Sequence, residues 1–127
     1  MKTLYISLAW LIIIILIWFV SFNFFINNSI KYFFAELYVL HDNIIKEDYI
    51  GAKPTMDKII KKWENTEKIW IYFVNQSEVD EIKSSIQKID NYIKIKNQTM
   101  TLSEIEEFKK FLRLVRGNES LSWENIF

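Results

Sequence analysis

His41 is the only imidazole in a chain of 127 residues. An imidazole serves as a general base or a metal ligand, and either task needs positioned partners. Glu36, Asp42 and Glu47 lie near it along the sequence, but helical spacing brings Asp42 and Glu47 only loosely toward it. One imidazole without a second ligand makes a poor zinc site, so a partly exposed boundary histidine is expected. The serines occur without a matching base, which leaves no Ser-His-Asp arrangement. Two glycines in the whole chain rule out a Gly-rich phosphate loop. There are no cysteines, so disulfides and thiolate metal sites are excluded. Acid clusters in "SEVDEI" and "SEIEEF" offer carboxylates, yet a calcium loop needs them to converge from an irregular turn containing glycine. Here they open helices, where negative charge meets the positive end of the macrodipole. The inventory predicts no enzyme, no cofactor and no metal.

Apolar recognition is the chemistry that remains. Trp63 and Trp70 lie one heptad apart on the same stripe as Ile59 and Phe73. Such a stripe could stack on a peptide or a glycan. Beside aliphatic residues at helical spacing, its plainer reading is core. A second group closes the chain in "SLSWENIF", where Leu121, Trp123, Ile126 and Phe127 place apolar side chains in a region that is usually poorly ordered. Either this tail folds back over a bundle, or it presents Phe127 and its carboxylate to a partner groove. Trp63, Trp70, Trp123, Ile126 and Phe127 are therefore the candidate interaction residues. Asn-x-Ser/Thr sequons begin at Asn27, Asn75, Asn97 and Asn118. Asparagine is abundant, as are isoleucine and lysine, a bias associated with AT-rich bacterial genomes. Chance sequons without glycosylation are expected.

Charge narrows the partners further. Past Lys2, fifteen cations stand against sixteen carboxylates, a balance of −1. Nucleic-acid binding needs a clustered positive excess, and so does a polybasic grip on anionic lipid. Neither is expected.

The elements begin with "WLIIIILIWFVSFNFF" at 10 to 25, inside a stretch with no charge between Lys2 and Lys31. As a helix, Leu4 to Phe22 would extend roughly 28 Å, and extension to Ile26 gives roughly 34 Å, about one hydrocarbon thickness. A soluble core helix of that length would carry a polar stripe, and this segment has none. A cleavable signal would have a shorter apolar region followed by small residues, whereas "SFNFFINNS" is rich in phenylalanine. An uncleaved signal-anchor is expected over 1–27, with the amino terminus cytoplasmic and residues 28–127 outside the cytoplasm at the cell membrane. No Gly-xxx-Gly seam marks a helix contact within it. It reads as a tether.

Downstream, the apolar residues fall at helical spacing throughout. Ile30, Phe33, Leu37, Leu40 and Ile44 form a first stripe, which could continue straight from the span across "NNS" at 27 to 29. A turn follows in "KEDYIGAKPT", and a second helix begins either at a cap on Asp48 or at Pro54. Its stripe is Met56, Ile59, Trp63, Thr66, Trp70 and Phe73. After "NQS" the phase shifts to Val79, Ile82, Ile86, Ile89 and Ile93, with Ser77 and Asp80 resembling a capping box. Thr101 and Glu104 resemble a better one, opening a stripe of Leu102, Ile105, Phe108, Leu112 and Val115 that Gly117 is placed to end. No period-2 alternation runs for a strand's length. The expected fold is all-α: an N-terminal transmembrane helix followed by a small antiparallel bundle of three to four helices.

The chain resembles a family of short bacterial proteins known as domain of unknown function 4363. The resemblance rests on the N-terminal span, "EDYIGA", "KKWENTEKIW", "SEVDEIKSSIQKIDNYIK" and "SLSWENIF", and covers nearly the full length. Pro54 departs from the family's pattern after the first turn. The resemblance implies a membrane-anchored helical protein of spore-forming low-GC bacteria and implies no activity. The resulting expectation is a tethered module that binds another protein, with the lipid bilayer as its other partner. The alternative is a self-associating structural or morphogenetic envelope component, with sporulation among its candidate settings.

Overall fold

The computed structural model describes the backbone of residues 1–126 and the side chains of residues 1–117. Four helices follow one another: α1 (Lys2–Ile45), α2 (Tyr49–Trp70), α3 (Gln76–Lys94) and α4 (Gln98–Ile126). No strand occurs among the described residues. Each helix packs on its chain neighbours, and α4 returns to α1. This closes a ring of antiparallel helices, so the all-α bundle expected from the stripes is the fold.

α1 has two halves with opposite surroundings. It is one helix of 44 residues, about 66 Å long, and no glycine or proline interrupts it. Asn27, Asn28 and Ser29 stay helical, because the propensity cost of each is a few tenths of a kcal/mol and cooperativity carries the helix through. From Ile26 onward one face is buried: Ile26, Ser29, Ile30, Phe33, Leu37, Leu40 and Ile44. Before Phe22, bulky apolar side chains from Leu4 to Val20 are exposed apart from half-buried Phe19, and the most apolar window has no buried residue. The packed unit also reaches back past 27/28, since Phe22 and Phe25 lie against the core. This helix is long and apolar enough to cross a membrane.

Two turns close the end of the bundle far from that apolar segment, and they share one construction. After α1, Glu47 adopts φ 55° and the Asp48 N–H donates to the Asn43 carbonyl at 2.8 Å. After α3, Lys96 adopts φ 55° and the Asn97 N–H donates to the Tyr92 carbonyl at 2.9 Å. Each is a left-handed residue ending a helix, with the six-to-one bond that satisfies a terminal carbonyl. The next residue caps the next helix: the Gly51 N–H donates to Asp48 Oδ1 at 2.9 Å, and the Met100 N–H to Asn97 Oδ1 at 3.1 Å. The first residue of each new helix then reaches across to the other turn. Tyr49 Oη donates to the Lys96 carbonyl at 3.3 Å, and Gln98 Nε2 to the Ile44 and Ile45 carbonyls at 3.1 and 3.2 Å.

One boundary left open by the sequence is thereby settled, and three expected helix signals are corrected. α2 starts at the Asp48 cap, and Pro54 lies inside it. Gly51 favours this start, because a Cβ there would collide with the capping carboxylate. α3 is capped by Asn75, whose Oδ1 accepts from the Ser77 N–H at 3.0 Å. Ser77 is thus inside the helix, and Asp80 accepts from Gln76 at 3.0 Å. Thr101 is fully buried within α4, its hydroxyl donating back to the Asn97 carbonyl at 2.6 Å. Glu104 accepts from Ser85 Oγ at 2.9 Å and joins α4 to α3. Gly117 does not end α4, which continues to Ile126. No glycine has a positive φ, so the left-handed stop that Gly117 would supply is not made.

The core is continuous along the bundle. Phe33 sits at its middle, 5.6 Å from Phe108 and 6.4 Å from Trp63, ring centre to ring centre. At the end near the apolar segment, α2 stops at Trp70 and the turn folds Phe73 back onto α1. Its ring lies 4.1 Å from Phe22 and 5.2 Å from Trp18.

Candidate interaction cleft between the second and third helices

The ring of helices is not equally closed. α3 and α4 pack closely along their length and are joined by the Ser85–Glu104 hydrogen bond. Along α2 and α3 an open trough remains. One basin of about 430 Å³ is walled by Tyr49, Met56, Ile60 and Ile93. A second of about 360 Å³ is walled by Ile60, Trp63 and Ile86. Ile60 and Asp90 border both, so the two basins form one channel along the seam.

The local sequence explains the apolar floor. The Ile59–Ile60 doublet widens the apolar arc past the stripe, with Ile59 in the core and Ile60 half-buried on the trough floor.

The rim is charged and balanced. Lys53, Asp57, Glu64 and Glu67 line it from α2, and Lys83, Asp90 and Lys94 from α3. Lys94 pairs with Asp90 within α3 at 3.1 Å. Lys83 reaches across the seam to Glu67 at 3.5 Å. That bridge is partly exposed, and such pairs contribute about 1 kcal/mol or less. An incoming partner can displace it at little cost.

An apolar floor with mixed charges at its edges suits an amphipathic helix or an extended apolar peptide. His41 is half-buried on α1 and lines neither basin. No group of three His, Cys, Asp or Glu side chains suited to a metal occurs among the described residues. Near the α2–α3 turn, burial pushes the Glu78 carboxyl above its ordinary range.

The residues singled out from sequence divide. Trp63 is 4 % exposed and Trp70 0 %, with their rings 5.9 Å apart and nearly perpendicular. Both belong to the core, and Trp63 in addition walls the trough. Neither indole N–H meets an acceptor among the described residues. A buried donor left unpaired costs about 1–3 kcal/mol. The side chains of Trp123 and Ile126, and Phe127 altogether, lie outside the described residues. Ile60, Lys83, Ile86 and Asp90 were not singled out as an interaction surface. Ile60 alone carried a signal, being an apolar residue beside the stripe instead of on it.

A family model described as "Domain of unknown function (DUF4363)" matches residues 20–126. The match begins within the last turns of the apolar segment, where Phe22 first packs against the core. No curated protein and no solved structure matches the chain.

Proposed function

The chain belongs to the DUF4363 family, and we propose that it is a membrane-tethered helical module that works by binding another protein. The tether is the apolar half of α1, with its amino terminus cytoplasmic and the bundle outside the cytoplasm at the cell membrane. The α2–α3 trough is the binding surface. The observation that carries the reading is the pairing of an exposed apolar helix with a bundle whose α2–α3 seam holds an open trough with an apolar floor and a rim of mixed charge. Tethering raises local concentration, so a shallow groove suffices where the partner shares the membrane.

A photo-crosslinking residue placed at Lys53 or Gln87, both on the trough rim, tests this in native membranes. Discrete adducts are expected from these sites and not from Tyr38, which is exposed on α1 and lines neither basin. Equal labelling from all three positions, or none from the rim, would sink the reading. A second reading is self-association as an envelope component, supported by Ile50 and Ile95, 90 % and 68 % exposed beside the far-end turns. An adduct of twice the chain's mass favours it.

A further inference from the structure

We propose that the α2–α3 turn, Ile71 to Phe73, is a second membrane-contacting element that seats in the headgroup–acyl boundary beside the anchor and holds the bundle upright on the bilayer. The proposal rests on the reading of α1 as a membrane anchor and adds a lipid-facing site outside it.

The turn has the composition of an interfacial segment. Ile69 to Ser77 carries no charge, flanked by Lys68 and Glu78. The two far-end turns, by contrast, hold Lys46, Glu47 and Asp48, and Lys94 and Lys96. Tyr72 is 77 % exposed, Ile71 43 % and Phe73 38 %. This surface is continuous with exposed Trp18 on α1, whose ring lies 5.2 Å from that of Phe73. Aromatic residues with one apolar and one polar part are favoured where acyl chains meet headgroups, and Tyr72 is of that kind.

Distance fixes the depth. With Leu4 at one hydrocarbon boundary, ~30 Å of acyl chain is spanned by about 20 helical residues, which places the other boundary close to Phe22 to Phe24. Phe73 packs on both Trp18 and Phe22, so it lies at that boundary or within one turn of it. Tilting α1 moves the boundary later along the helix and sinks the turn further. α1 has no glycine or proline to act as a hinge between the apolar segment and the bundle. The depth of Phe22 therefore sets the depth of Phe73.

The chain has no cysteine, which allows single-site labelling of the full-length protein in phosphatidylcholine vesicles. An environment-sensitive fluorophore is attached at Tyr72→Cys, Ile71→Cys, Lys96→Cys or Trp10→Cys. Expected are blue-shifted emission at positions 10, 71 and 72, and aqueous emission at position 96. A shallow doxyl-labelled lipid should quench positions 71 and 72 several-fold more than position 96, and a deep one should act best at position 10. Aqueous emission at both 71 and 72, with position 10 in lipid, overturns the proposal while the anchor stands. Aqueous emission at position 10 overturns the anchor and the proposal together.

Discussion

The two ends of the bundle join helices by different chemistry. At the far end, two turns of like construction clamp each other through Tyr49 and Gln98, and every bond is to a backbone carbonyl. At the other end, the α2–α3 turn is held by rings, with Phe73 against Trp18 and Phe22. Carbonyls left over at helix ends need donors wherever they lie. A polar clamp supplies them in water, where charged turn residues remain hydrated. At the α2–α3 turn the backbone N–H groups of Tyr72, Phe73 and Val74 supply them, and the aromatic clasp adds contact area that suits an end continuing an apolar surface. The contrast teaches that helix pairing alone does not choose the turn chemistry; the surroundings of each end do.

Breaking the aromatic end should have the largest effect. Trp70 is fully buried there, and Trp70→Ala should cost about 3–5 kcal/mol. Thermal unfolding in mild detergent, followed by circular dichroism, would read it. A loss under 1 kcal/mol would mean that this end contributes little to folding.

The polar end divides its stability among smaller parts. Asp48→Ala and Asn97→Ala should each lose about 1 kcal/mol, because each removes the acceptor for an orphan N–H at a helix start. The two losses should be alike in denaturant titrations if the turns are equivalent. Lys96→Gly should act in the opposite direction. Lys96 holds φ 55°, and relief of that left-handed cost should stabilise by about 0.5–1 kcal/mol. No gain in the unfolding midpoint would argue that the Lys96 side chain stabilises the turn in another way.

The smallest effect belongs to Glu78 and depends on pH. Burial raises its carboxyl in the folded chain, so the fold prefers the protonated form. Its unfavourable contribution is absent below the ordinary carboxylate value, grows as pH rises through that value to the raised one, and is constant above. Glu78→Gln should therefore match the parent near pH ~3.5 and exceed it by about 0.5 kcal/mol or less near pH ~7. Paired melts at both pH values test the sign, and a gain confined to low pH would contradict it.

Much of the bundle is legible in the sequence because its signals are local. The stripes from Ile30 to Ile44, Val79 to Ile93 and Ile105 to Val115 are the buried faces. Caps were legible only as neighbourhoods. "NQS" and "NQT" each contain more than one residue able to cap, and the preceding turn decides which one receives the new helix. Lys96 in the left-handed region delivers Asn97, not Thr101, to the cap. Thr101 then falls on the buried face, where its methyl packs and its hydroxyl is satisfied within the helix. The trough itself was not legible, although two of its residues, Ile60 and Trp63, carried a signal. Ile60 and Ile86 lie 26 positions apart, and neither shows by itself that the helices bearing them stand open.

Periodicity and turn residues are properties of neighbours along the chain, and with the long uncharged run they determined helices and an apolar α1. The backbone bonds that form a helix reach only four residues, so the string of amino acids carries that information directly. Which seam closes, which ring folds back onto Phe22 and how far α1 runs into the bundle depend on side-chain volumes meeting from separate helices. Those volumes are compared only once the chain has packed, and there the tertiary structure alone placed the open trough between α2 and α3.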